Sequence, residues 1–384
     1  MNLRHIKDIN VKGKRVLLRV DLNFDPNTSL SIHHKLKKIL PTIKFLQKKG
    51  AIIVLSSHRG RPVGFQAREL SLSVFSQLLV DQLGMPVSFV QDLETYSSHQ
   101  FSNSEIILLE NLRFFPGEEV NDSKFAHMLS KWGDLYVNDA FGVTHRKNAS
   151  LHAITQYLPS FAGFLIHEEL VTIDRFFNHP KRPFLAIIGG KKTADKIPVL
   201  KRLLKVVDQI YLGGVVGNTF LVSMGITMSQ INYDPKLLED AKFITSLAKK
   251  QNVKIYLPQD IVVQSKPALT VPVHALTKDM HAVDIGLLSQ KKLAELINKA
   301  KTILWNGPMG KYEETPFEKG TLVILKGLRK TKAEVLIGGG DTLSTFDQNI
   351  FHQSNIYFST GGGALLYYLA YGYLPSLRPL SDHH

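Results

Sequence analysis

The chain has 384 residues, 44% of them hydrophobic, with 27 glycines, 17 prolines and no cysteine. That length exceeds what one hydrophobic core usually holds and predicts two domains of similar size; the lack of cysteine excludes a disulfide framework, a thiolate metal site and a cysteine nucleophile. The net charge of +14 invites polyanionic partners, yet residues 1–150 carry 20 basic and 14 acidic side chains and the remainder 27 and 19, an even spread with no basic tail and no dense basic run that small anionic ligands explain as well as nucleic acid does.

In chain order, the opening MNLRHIKDINVKGKR holds no apolar core of a signal peptide, and no later stretch reaches the roughly 18 apolar residues of a membrane span. A cytoplasmic protein without a membrane partner is expected. Short apolar runs recur at 16–20, 51–55, 106–109, 135–137, 184–188, 209–212, 254–257, 302–305, 334–337 and 355–358. Helix-like segments lie between many of them, such as 41–49 closed by Gly50 and 71–83 closed by Gly84. Strands alternating with helices predict an α/β protein with parallel sheets covered on both faces. In the first half the polar stretches RVDLN, SSHRGRP, LLENLRF and LYVNDAFG each follow a strand, at the sheet edge where open parallel sheets bind ligands.

Those stretches supply Arg61, Arg113 and Arg146 with His58, and guanidinium forks suit bidentate capture of phosphate and carboxylate. Asp21 and Asn23 suit hydroxyl groups, so a small, anionic, hydroxylated ligand is expected. Glu110 and Asp139 admit reading as an acid/base pair; a structural role, with one of them holding nearby arginines, is preferred, and His145 is likewise read as structural. The stretch 164–183 carries Leu165, Glu169, Ile173 and Phe176 at helical spacing before a proline-containing break, and predicts a helix connecting the halves.

The second half turns on FLAIIGGKKTADKI (184–197), an apolar run ending in paired glycines just where a helix starts. Unpaired N–H groups and the helix dipole make such a place an anion site, and Lys192 and Lys196 add full charge. No G-x-x-x-x-G-K-[ST] occurs and no G-x-G-x-x-G opens a helix after a strand, which disfavours a dinucleotide-dependent dehydrogenase. Four more glycine turns follow apolar runs at 212–214, 306–310, 338–342 and 359–364. None of the 15 histidines shows a metal-ligand spacing such as H-E-x-x-H.

Together these motifs, with GFLIHEEL, LPQDIVV, DIG and ILWNGPMGKYE, resemble the phosphoglycerate kinase family, in the family's order from about residue 10 to 365. The resemblance implies two Rossmann-like parallel-sheet domains joined by a hinge helix: residues 1–165 with the tail 370–384, the hinge at 166–183, and 184–369. It implies a monomer that moves a phosphoryl group reversibly between 1,3-bisphosphoglycerate and ADP, giving 3-phosphoglycerate and ATP, with Mg2+ as cofactor and with domain closure. On matching positions, Asp21, Leu22, Asn23, His58, Arg59, Gly60, Arg61, Arg113 and Arg146 would hold the glycerate substrate. Lys192, Lys196, Gly339 and Gly363 would act on the transferring phosphoryl group. Gly213, Gly214, Asn306, Pro308, Glu313, Gly340, Asp341 and Thr342 would serve the nucleotide, with Asp341 on the metal.

The resemblance has departures. Where the family places an arginine, this chain has Lys35, with Lys37 and His34 as neighbours that a one- or two-residue slip would bring in. Loss of one bidentate contact to the transition state would cost on the order of 2–4 kcal/mol. Phe24, Val215, Lys311, Leu365 and Tyr367 also differ, mostly around the nucleotide. A catalytically weak paralogue that binds nucleotide is the alternative those departures support.

Overall fold

The computed structural model describes residues 2–26, 29–62, 64–97, 101–343, 345–346, 350–351 and 353–381. The chain divides into two compact units, residues 1–171 with 373–384 and residues 172–372. No helix among the described residues is long and apolar enough to cross a membrane.

In the first unit, β1 (Arg15–Arg19), β2 (Ile52–Ser56), β3 (Val87–Val90), β4 (Ile106–Leu109), β5 (Leu135–Asn138) and β6 (Ser160–Ala162) form one parallel sheet in the order β3-β4-β2-β1-β5-β6. The apolar runs IILL and LYVN are buried throughout, as strands covered on both faces must be. Leu17, Val54, Ile107, Trp132 and Tyr136 pack together on one face. Register sets Arg19 beside both Ser56 and Asn138, so the segments after β1, β2 and β5 leave the sheet side by side.

Helix α1 (Ser29–Lys48) begins twelve residues before the expected start at Pro41, which lies inside it. Proline costs a helix one hydrogen bond, but Pro41 faces solvent while Ile39, Ile43 and Leu46 are buried, so packing holds the helix through it. The interval between Asp25 and Glu69 that contains α1 has nine lysines and arginines and no carboxylate; the even balance of the two halves conceals this local excess. Next come α2 (Ser76–Leu83), ended by Gly84 at φ +64, α3 (Pro116–Glu119), α4 (Ser123–Ser130) and α5 (Phe164–Asn178), inside which the division between the two units falls, after Val171. Asp139 at the end of β5 caps α5, its Oδ1 accepting from Leu165 N at 2.9 Å and Ile166 N at 3.3 Å. The terminal segment belongs to this unit through Arg4 N donating to Leu380 O at 2.9 Å and Ser376 Oγ to Thr144 O at 3.0 Å.

The second unit contains β7 (Phe184–Ile188), α6 (Thr193–Leu203), β8 (Gln209–Leu212), α7 (Gly214–Ser223), α8 (Leu238–Lys250) and β9 (Lys254–Tyr256), then the short strands β10 (Asp260–Val263), β11 (Leu269–Pro272) and β12 (Ala282–Ile285). There follow α9 (Leu287–Lys299), β13 (Thr302–Asn306), α10 (Lys319–Leu328), β14 (Glu334–Ile337), α11 (Gly340–Leu343), β15 (Ile356–Phe358) and α12 (Gly362–Tyr371). Its parallel sheet runs β15-β14-β13-β7-β8-β9, which places the end of every strand that precedes a glycine turn on one edge. Leu185, Ile187, Ile303, Trp305, Val335 and Ile337 form the centre of its core, with Trp305 stacked on Phe346 at 5.8 Å between centroids. The antiparallel sheet β11-β10-β12 was not foreseen, because DIVV, LTVP and AVDI are four residues each and LTVP is mostly exposed.

Candidate active site

At the C-terminal edge of the first sheet, Asp21 is the hub of its loop. Its Oδ1 accepts from Asn23 N at 2.9 Å and its Oδ2 from Lys35 Nζ at 3.0 Å, and Lys35 also donates to Asn23 O at 3.3 Å. Lys35 is therefore the α1 cation that stands here, whereas Lys37 is exposed. Asn23 Oδ1 accepts from Gly60 N at 2.9 Å, and buried Leu22 donates its N–H to Ser57 Oγ at 2.9 Å, which ties this loop to the one after β2.

Arg113 is buried, pairs through Nε with Glu119 at 3.1 Å and donates to Gly60 O. Burial and the nearby Arg146 push its pKa down to about 10, so it remains a cation at neutral pH. Arg146 lies beside His145, and Arg61 is exposed. Arg59 differs from its neighbours: its guanidinium donates to Glu69 O at 2.8 Å and lies over Phe75, and its backbone serves the edge, the N–H donating to Asn111 Oδ1 at 3.1 Å and the carbonyl accepting from Asn111 Nδ2 at 2.8 Å. The expectation that Glu110 or Asp139 holds arginines is corrected. Glu110 accepts from Leu72 N at 2.9 Å and Ser71 Oγ at 2.8 Å, Asp139 caps α5, and Glu119 is the arginine's partner.

One residue of this edge escaped the sequence reading. Arg19, 1% exposed, ends β1 and donates from Nε to Ser150 Oγ at 3.0 Å, from Nη1 to Val20 O at 2.6 Å and from Nη2 to His58 Nδ1 at 3.1 Å. Ser150 in turn donates to buried Glu118 from Oγ at 2.7 Å and from its backbone at 2.9 Å. The available signal was an arginine inside the apolar strand RVLLR, since a buried charge needs a partner. Burial and Arg19 hold the pKa of His58 well below the usual imidazole value, so its ring is neutral.

In the second unit the glycine turns are stitched to one another. Gly190 N donates to Pro308 O at 2.8 Å and Gly214 N to Met309 O at 3.1 Å. Lys196, buried on α6, donates to Asn306 Oδ1; Asn306 Nδ2 donates to Gly338 O at 2.6 Å, and Gly307 N donates to Thr342 Oγ1 at 2.7 Å. A Cβ on Gly362 would meet Gly339 Cα at 2.9 Å, so the turns after β14 and β15 touch and Gly363 follows in the first turn of α12. Lys192 and Gly340 are exposed, and Gly213 caps α7.

Beside this cluster lies a cavity of about 490 Å3 whose lining includes Gly190, Gly214, Val215, Pro308, Lys311 and Glu313. Its far wall, with Asn218, Ile261, Val283 and Asp284, comes from α7 and the unforeseen antiparallel sheet. Burial raises the pKa of Asp284 to about 7, while its Oδ2 accepts from Gly320 N at 2.8 Å and so anchors the start of α10.

Among the described residues no three carboxylate or imidazole side chains gather into a metal cage. Mg2+ fits a sparser donor set, one carboxylate completed by phosphate oxygens and water. Asp341, second residue of α11 at this sheet edge, can be that carboxylate; its side chain lies outside the described residues. The two edges thus offer cations, N–H donors and hydroxyl acceptors for phosphorylated ligands.

A family model described as phosphoglycerate kinase matches residues 6–371. Two curated relatives are the phosphoglycerate kinases of Pelotomaculum thermopropionicum, 38% identical, and Finegoldia magna, 39% identical, each aligned over 100% of both chains. Among solved structures, phosphoglycerate kinase from Coxiella burnetii superimposes with a TM-score of 0.85 at 32% identity, covering 99% of this chain and 98% of that one. The enzyme from Pyrococcus horikoshii OT3 does so with a TM-score of 0.84 at 28% identity, covering 98% of each.

Proposed function

The chain belongs to the phosphoglycerate kinase family, and on that premise we propose how its own residues divide the work of a phosphotransferase with a carboxyl acceptor. The reaction is reversible phosphoryl transfer between 1,3-bisphosphoglycerate and ADP, giving 3-phosphoglycerate and ATP. The first unit takes the glycerate: Lys35, Arg61, Arg113 and Arg146 meet its phosphate and carboxylate, His58 donates, and Asp21 and Asn23, the latter held by the Gly60 N–H, receive the hydroxyl.

The second unit takes the nucleotide. Lys192, Lys196 and the N–H groups of Gly339, Gly340 and Gly363 face the phosphates, Glu313 the ribose, and Gly213, Gly214, Asn306 and Pro308 shape the pocket. Asp341, with Thr342 beside it, would hold Mg2+ for the nucleotide's phosphate oxygens. Bound there, the ion supplies neutralisation of the charge those oxygens carry. The acceptor is a carboxylate already ionised at neutral pH, so no general base is required.

The observation that carries this assignment is the convergence of Lys196, Asn306, Gly338 and Thr342 at one sheet edge, next to a cavity that Glu313 also lines. The test is a coupled assay of 3-phosphoglycerate with MgATP. Robust turnover is expected, with Lys196→Ala lowering kcat by about a hundredfold or more as a phosphoryl-facing cation is lost. Lack of wild-type turnover, or an undiminished Lys196→Ala enzyme, would overturn the assignment.

A further inference from the structure

We propose that Arg19 is a positioning residue that locks His58 as a neutral ring with its proton on Nε2, so that His58 offers the glycerate substrate a hydrogen-bond donor and not a positive charge. This rests on the reading that the first unit's edge takes the phosphoglycerate. A guanidinium has donors only. The 3.1 Å approach of Arg19 Nη2 to His58 Nδ1 therefore requires that nitrogen to accept, which leaves the neutral ring's single proton on Nε2.

Arg19 cannot turn away, because its Nε and Nη1 are committed to Ser150 Oγ and Val20 O. Glu118 balances its charge across the Ser150 hydroxyl. His58 is 1% exposed and its Nε2 makes no hydrogen bond to another described residue, so this nitrogen is the ring's polar atom left for a ligand at the edge. The charged groups that act most on the ring, Arg19, Arg113, Lys35 and Arg146, are cations that oppose a second proton, and the carboxylate of Asp21 is paired with Lys35. Histidine among arginines at an anion site invites reading as one more cation; here the arginines prevent it. The donor then stays constant across the pH range in which a free histidine titrates.

The test is nitrogen-15 spectroscopy of histidine-labelled protein, with the His58 signals identified by their loss in His58→Gln. The expected result is an acceptor-type Nδ1 and a protonated Nε2, unchanged from about pH 8 to about pH 6. An imidazolium or an Nδ1-protonated ring in that range overturns the proposal. In parallel, the ratio of KM for 3-phosphoglycerate in wild type and His58→Gln, whose amide is also a neutral donor, is expected to stay constant over the same range. A ratio that rises through the imidazole range means that His58 binds as a cation.

Arg19→Lys keeps the charge but loses the fork. It is expected to disturb the His58 signature and raise KM for 3-phosphoglycerate about tenfold while leaving KM for MgATP unchanged. A folded Arg19→Lys protein with the His58 signature and both constants unaltered would make Arg19 merely structural. If that variant does not fold, the wild-type spectrum still decides. Absence of wild-type turnover would instead overturn the reading of the edge as a substrate site, with the ring's protonation still legible in the spectrum.

Discussion

Lys35 occupies a place that the family resemblance assigns to arginine, and the fold anchors it there by an ion pair to Asp21, which is 7% exposed in its side chain. The ammonium keeps the charge and gives up the planar fork. Lys35→Met removes the charge and leaves Asp21 unpaired, and is expected to lower kcat/KM by roughly ten- to a thousandfold, measured with 3-phosphoglycerate as the varied substrate. Asp139 illustrates a different residue-scale effect: burial raises its pKa from 3.8 to about 7 in the cap of α5. A carboxyl with a raised folded pKa binds its proton more tightly in the folded chain than in the unfolded one. Stability from this group is therefore present at low pH and lost as pH rises from about 4 to about 7. Asp139→Asn mimics the protonated form and is expected to remove that slope, with a ceiling of about 4 kcal/mol; urea midpoints of both proteins across this range measure it.

At the scale of elements, the glycine turns need glycine for different reasons. Gly189, directly after β7, would put a Cβ 2.2 Å from Pro308 O, a backbone atom of the neighbouring turn, whereas a Cβ on Gly340 meets nothing within 4 Å. Gly189→Ala must push the ends of β7 and β13 apart. It is expected to lower stability by about 1–3 kcal/mol and to raise KM for ATP, because Pro308 lines the cavity. Gly340→Ala is expected to leave the unfolding midpoint unchanged, which thermal scans of both variants check. The missed start of α1 belongs to this scale too: a proline inside a periodic segment signals a helix end, and only the burial of Ile39, Ile43 and Leu46 shows that the element continues through it.

At the scale of the whole molecule, each unit has its own core, and the proposed assignment gives each its own ligand. Ligand protection is therefore expected to be separable. In hydrogen exchange, 3-phosphoglycerate alone should slow amides in 20–24, 57–61 and 111–114 and leave 189–196 and 306–313 unchanged, and MgADP alone should do the reverse. Protection of both sets by either ligand alone would contradict the division of labour.

The sequence by itself determined the alternation of buried strands with helices and the punctuation of strand ends by glycine or by arginine, histidine and carboxylate. Both are local properties: an apolar run must be covered on two faces, and a tight turn beside an anion needs a residue without a Cβ. The family motifs are local in the same sense, and together they made the kinase reading legible. The tertiary structure alone decided which strand ends are neighbours, and so which loops share a site. It inserted β13 between β14 and β7, gave the cavity a wall from two strands, β10 and β12, too short and mixed to announce themselves, and brought Arg19 to His58 across 39 positions. It also gave Asp139 a helix to cap where an arginine was expected. Side-chain pairings of this kind depend on sheet order and register, which no residue's neighbours in the chain specify.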